Sequence, residues 1–107
     1  MSDQTLANVL HEVADERYRQ DRRWGEQNHS PAYFFAILAE EHGEVAKEVV
    51  EYTFDEADGI IDGAPEVLAR LRSELVQEAA VAVAFIEAID RRPESPKVSR
   101  EEGVSNG

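Results

Sequence analysis

An all-α fold is predicted from three features of the sequence. Apolar residues recur at helical spacing in three long segments, start and stop signals bracket those segments, and no stretch alternates apolar with polar residues as a strand would. Ser2 or Asp3 can cap the first helix, whose apolar stripe is Leu6, Val9, Leu10, Val13 and Tyr18. That helix runs to about Trp24, where Gly25 supplies a stop. The link GEQNHSP follows. Ser30 is a capping hydroxyl and Pro31 a proline at the first helical position, so a second helix starts there and continues to about Tyr52. Its stripe is Phe34, Ile37, Leu38, Val45, Val49 and Tyr52. Residues 55–64, DEADGIIDGA, read as a loop rich in Asp and Gly. Pro65 opens a third helix reaching about Arg91, with Leu68, Leu71, Leu75, Ala79, Ala82, Ile86 and Ile89 as its stripe. Pro93 and Pro96 end it. Residues 1–92 then form one helical domain and residues 93–107 a disordered tail.

The 107 residues suit one domain, and a chain this short has difficulty burying a large core alone. Residues 79–89, AAVAVAFIEAI, are apolar on nearly every side of their helix. Such a helix must be covered from several directions, which two partners within one chain do not supply. Chains are therefore expected to associate, as a homodimer completing a four-helix core or as a homotetramer. No apolar run is long enough for a membrane span or a secretory signal, and with no cysteine there is neither a disulfide framework nor a thiolate nucleophile. A cytoplasmic setting is expected. The formal charge of −12 argues against binding a nucleic-acid polymer, which asks for a basic surface. An anionic small substrate stays open if a bound cation screens it.

The acids have a pattern. The second helix carries Glu40, Glu41, Glu44 and Glu48, of which Glu41 falls in the middle of the apolar stripe and Glu44 on its edge. The third carries Glu74 and Glu78, four apart, with Glu78 inside its stripe and Glu74 on the border. Carboxylates in a helix interface are costly through desolvation and mutual repulsion, and a divalent cation removes both penalties. Oxygen ligands without cysteine suit Mg²⁺, with Mn²⁺ as a substitute. Paired glutamates on packed helices also occur in di-iron bundles, but the only Glu-x-x-His spacing here, Glu26 to His29, lies in the link.

Glu41-His42-Gly43-Glu44 on one helix, followed by Glu74 on the next, resembles the MazG-like, all-α nucleoside triphosphate pyrophosphohydrolases. The segments ERYRQDRRWGEQNHSP and LRSELVQEAAVAVAFIEAID carry the likeness from about Glu12 to Asp90. The resemblance implies a Mg²⁺-dependent enzyme that hydrolyses (d)NTPs to a monophosphate and pyrophosphate, with Glu41, Glu44, Glu74 and Glu78 around the metal. Glu44 or Glu48 would orient the attacking water, and Lys47, Arg70 or Arg72 would meet phosphate. Trp24 would stack a base, and Asn28 and His29 would contact base or phosphate. One departure stands out: the family pattern puts Asp three residues after Glu74, and this chain has Gln77. Helical geometry rotates Gln77 away from the expected stripe, so Glu78 is expected to replace the missing acid. Otherwise the protein binds nucleotide with weak or no turnover. A bundle that only oligomerises, with incidental acids, is the remaining alternative.

Overall fold

A computed structural model describes residues 3–59 and 64–96. Three helices, α1 (Asp3–Trp24), α2 (Pro31–Ala57) and α3 (Ala64–Arg91), make up the fold, and no strand occurs among the described residues. No described helix is long and apolar enough to cross a membrane.

The helix ends follow from local chemistry. Gly25 takes φ 78°, a left-handed conformation that L side chains rarely adopt, and its N–H donates to the Asp21 carbonyl at 2.7 Å to close α1. Ser30 is extended, and its Oγ accepts the Tyr33 N–H at 3.2 Å, with Pro31 entering the helix directly after. α2 extends past Tyr52 to Ala57, because nothing in YTFDEA breaks a helix. The stop is Gly59, at φ 77°, with its N–H on the Glu56 carbonyl. Of the expected loop, residues 55–57 are therefore helical, and residues 60–63 lie outside the described residues. So do residues 97–107 of the expected tail.

α3 is the central element: α1 and α2 each pack on it, and among the described residues they do not pack on each other. Contacts from Glu12 to Arg72 and from Arg17 to Glu87 run α1 parallel to α3. Contacts from Phe34 to Phe85 and from Glu48 to Arg70 run α2 antiparallel to it. A cleft opens between α1 and α2 with α3 as its floor.

The face α3 buries differs from the expected stripe. Val67, Ala80, Val81, Ala84 and Ala88 are inside. Leu68, Leu75, Ile86 and Ile89, from the expected stripe, are exposed, Ile86 by 57%. The reason is that α3 is apolar all round, so periodicity does not choose a side, and the alanine row lets neighbouring backbones approach closely. Phe34 of α2, 1% exposed, fills that space against Ala84 and Ala88, its ring stacked on Phe85 with centroids 5.0 Å apart. α1 also turns an unexpected face inward: Glu16, Arg17 and Gln20 are buried, while Tyr18 is 62% exposed. The radius of gyration is 17.4 Å, against about 13 Å for a compact domain of about 100 residues. This chain leaves much of its apolar surface open.

Phe34→Ala is expected to lower the unfolding free energy by about 3–5 kcal/mol, as for a fully buried phenylalanine. Tyr18→Ala should change it by less than about 0.5 kcal/mol. Urea titration of both variants checks the assignment, and a large loss for Tyr18→Ala would place the wrong face of α1 inside.

Candidate functional site

The cleft holds a cavity of about 640 Å³. α1 lines it with Glu16, Arg19, Gln20, Arg23 and Trp24, which recur every three or four residues and so share one side of the helix. The link contributes Glu26, Gln27 and His29, α2 contributes Tyr33, Ile37, Glu40 and Glu41, and α3 contributes Gln77 and Val81.

The walls are held in place by ion pairs. Buried Arg17 grips Asp21 through both terminal nitrogens, at 2.8 and 2.9 Å, and donates from Nε to Glu87 at 2.7 Å, locking α1 to α3. Arg17 holds the Asp21 carboxyl below its ordinary pKa, and the nearby Gln27 amide adds to the effect without a well-formed hydrogen bond. Arg91, at the end of α3, donates to Asn28 Oδ1 at 2.8 Å and to the Gln27 carbonyl at 3.0 Å, pinning the link. His29 sits edge-on to Tyr33 and Phe34, with centroid separations of 4.5 and 5.1 Å.

Glu41 is the anomalous residue. Its Oε1 is buried and has no hydrogen-bond partner. Burial raises its pKa first, and the charges of Glu74, Glu44, Glu40 and Glu16 raise it further. Carboxylates from all three helices therefore act on one oxygen. Two buried side-chain polar atoms lack partners among the described residues, Glu41 Oε1 and Gln27 Nε2, and both residues line this cavity. Buried polar groups normally find partners; the Gln27 amide lies near the Asp21 carboxylate, which leaves Glu41 Oε1 as the unexplained atom.

The structure sorts the expected site residues. Trp24, His29 and Glu41 line the cavity. Glu74 is half-buried and Glu44 exposed, and the charge of each acts on Glu41. Other expected residues are engaged elsewhere. Glu78 Oε2 accepts a hydrogen bond from His42 Nδ1 at 3.0 Å, outside the cavity. Glu48 is buried and takes the Arg70 Nε at 3.1 Å, and Arg70 also reaches Glu51. Arg72 is occupied by Glu12, Lys47 is exposed away from the cavity, and Asn28 bridges Arg91 and Glu26. Gln77, expected to turn away, lines the cavity floor. That reversal follows from the rotation of α3 onto its alanine row.

Sequence reading missed Glu16, Arg19, Gln20, Arg23, Gln27 and Tyr33. A signal existed for two of them: Val9, Val13, Glu16 and Gln20 continue a single helical row, the same logic that exposes Glu41.

Among the described residues, no three His, Asp or Glu side chains converge closely enough to hold a metal ion as they stand. Unscreened carboxylates repel one another, which opposes convergence. The donor chemistry nevertheless fits a hard divalent cation: the candidates are carboxylate oxygens, one of them buried without a partner. Comparison of the chain with protein-family models, curated proteins and solved structures found no match.

Because folding raises the Glu41 pKa, the folded state favours the protonated acid. The ionised form costs stability as pH rises from the ordinary value of 4.5 through the folded-state pKa, and costs nothing below both values. Glu41→Gln should therefore raise the melting temperature of metal-free protein at pH 7 by a few degrees, with the gain vanishing below about pH 4.5. Thermal unfolding across pH tests this, and a variant no more stable than the parent at pH 7 would contradict a desolvated, repelled carboxylate.

Proposed function

We propose that this protein is a Mg²⁺-dependent (d)NTP pyrophosphohydrolase of the MazG-like kind, working as a homo-oligomer. The observation that carries the reading is the partnerless Glu41 oxygen, on which the charge of Glu74 acts, in a cavity also lined by Trp24, His29 and Tyr33. Glu41 and Glu74, with Glu44 three residues on from Glu41, would hold Mg²⁺ or Mn²⁺. Bound there, the ion supplies charge neutralisation for the triphosphate and polarisation of its phosphoryl oxygens.

The chain's own residues divide the remaining work. Trp24 presents an exposed indole for stacking. Glu44 has no partner among the described residues, whereas Glu48 is held by Arg70, so the water-orienting role goes to Glu44. Water's oxygen forms the new bond to the α-phosphorus, and the bond to the bridging oxygen breaks. Pyrophosphate leaves, and Glu44 takes the water's proton.

The exposed apolar rows support association. Phe35 and Val49 on α2, and Leu68, Leu75 and Ile89 on α3, are exposed and lie at multiples of seven residues. This is the spacing of helices that wrap against further helices. The His42–Glu78 and Glu48–Arg70 pairs tie α2 to α3. A second copy of the hairpin on the apolar edge completes a four-helix core and leaves the cleft open.

A second reading, nucleotide binding with little turnover, is favoured by the neutral Gln77 on the cavity floor. Pyrophosphate release from a panel of NTPs and dNTPs, with Mg²⁺ or Mn²⁺, separates the two. The hydrolase reading expects metal-dependent release, its loss in Glu41→Gln, and a gain of about tenfold in kcat/KM for Gln77→Asp, worth about 1.4 kcal/mol in the barrier. Metal-dependent nucleotide binding without release would select the second reading. Neither binding nor release would leave an oligomerising bundle. Light scattering should give a dimer or tetramer for the parent and a monomer for Leu75→Glu.

A further inference from the structure

Most arginines here are bound to carboxylates: Arg17 to Asp21 and Glu87, Arg70 to Glu48 and Glu51, Arg72 to Glu12, Arg91 to Glu26, and Arg92 to Glu94. Arg23 differs. It lines the cavity, has no carboxylate partner among the described residues, and lies 4.9 Å from the centroid of the Trp24 ring. In a chain with net charge −12, an uncompensated guanidinium facing a cavity is conspicuous.

Arg19 lies one helical turn earlier and lines the same cavity. Its Nη2 reaches Glu16 Oε1 at 2.5 Å, and Gln20 Nε2 donates to the other oxygen of Glu16 at 3.2 Å. The Arg19 side chain is 66% exposed, so this pair is a weak restraint. A guanidinium has five N–H donors, and Glu16 does not use them all. Along one wall of the cleft, α1 thus presents an acid, two guanidiniums and an indole in order. From Glu16 to Trp24 the helix rises about 12 Å, at about 1.5 Å per residue. That is room for a flat ring at one end and a chain of phosphates towards the other.

We infer that Arg19 and Arg23 hold the phosphate chain of a nucleotide, with the ring towards Trp24 and the phosphates running towards Glu41. This rests on the nucleotide reading of the same cavity and adds the cations that the reading lacked, since Lys47 points elsewhere and Arg70 and Arg72 are occupied. Guanidiniums suit the task because their planar forks match phosphate oxygens two at a time. Arg23 acts nearer the ring and Arg19 nearer the carboxylates.

Calorimetric titration of the full chain with Mg²⁺ and α,β-imido (d)NTPs tests the inference, with inorganic tripolyphosphate and free nucleosides as comparison probes. Arg23→Gln and Arg19→Gln should each weaken the triphosphate analogues by about tenfold, the scale of one charge-assisted hydrogen bond. Tripolyphosphate should weaken likewise, nucleoside binding should be unchanged, and Arg23→Lys should recover part of the loss. Among the described residues Arg23 makes no ion pair and its ring contact is with the exposed Trp24, so Arg23→Gln should melt as the parent does. Parent-like binding of the analogues by both glutamine variants would overturn the arginine assignment and leave the nucleotide site standing. If the parent itself bound no analogue, the nucleotide reading would fail and take the arginine assignment with it.

Discussion

The close contact between α2 and α3 brings Glu41 into a packed face, and the site depends on that constraint. Ala80, Ala84 and Ala88 give α3 a side with little bulk, Phe34 fills the space beside them, and α2 follows along its length. One consequence is that a carboxylate at position 41 comes to rest with an oxygen cut off from water and Glu74 nearby. A helix pair selected for stability alone would carry an apolar residue there, as Val45 does one turn later. The cleft between α1 and α2 adjoins that residue, and the proposed cation would compensate its charge there.

Charge is distributed around that constraint with some economy. The arginines fall into two groups by what they touch. Arg17 and Arg91 are mechanical, one clamping α1 to α3 and the other pinning the link to the end of α3. Arg19 and Arg23 face open space in the cavity. The α2–α3 hairpin is likewise two-sided. One edge lines the cleft, and the other presents Phe35, Val49, Leu75 and Ile86 to whatever covers them. With the two edges separate, the proposed association would bury apolar surface without closing the cavity.

The helices were legible in the sequence because their punctuation is local. Gly25 and the Ser30-Pro31 start act through nearest neighbours and appear where expected. α2 overran its expected end because an acidic, glycine-containing stretch looks like a loop as a whole, although the breaking residue is Gly59 at its centre. The choice of face was harder. α3 is apolar on opposite sides, so its period fixes no orientation, and the larger residues drew the stripe to the side left open here. That single rotation displaced Gln77 and Glu78 together, bringing the former to the cavity and leaving the latter with His42. Arg19 and Arg23 were illegible for another reason: polar residues on a first helix read as solvated surface, and both stay exposed while lining the cleft. Glu41 was legible because a carboxylate inside an otherwise apolar row is a contradiction that the sequence displays openly.

The central claim is that Glu41 and Glu74 are held together for a cation. Crystals grown with Mn²⁺ and an α,β-imido nucleotide, measured at the manganese absorption edge, locate that ion directly. An anomalous peak bonded to Glu41 and Glu74 oxygens, with the phosphates reaching into the cleft, is the predicted result. A bound nucleotide elsewhere, or no peak while Glu41 stays buried and unpartnered, would contradict it.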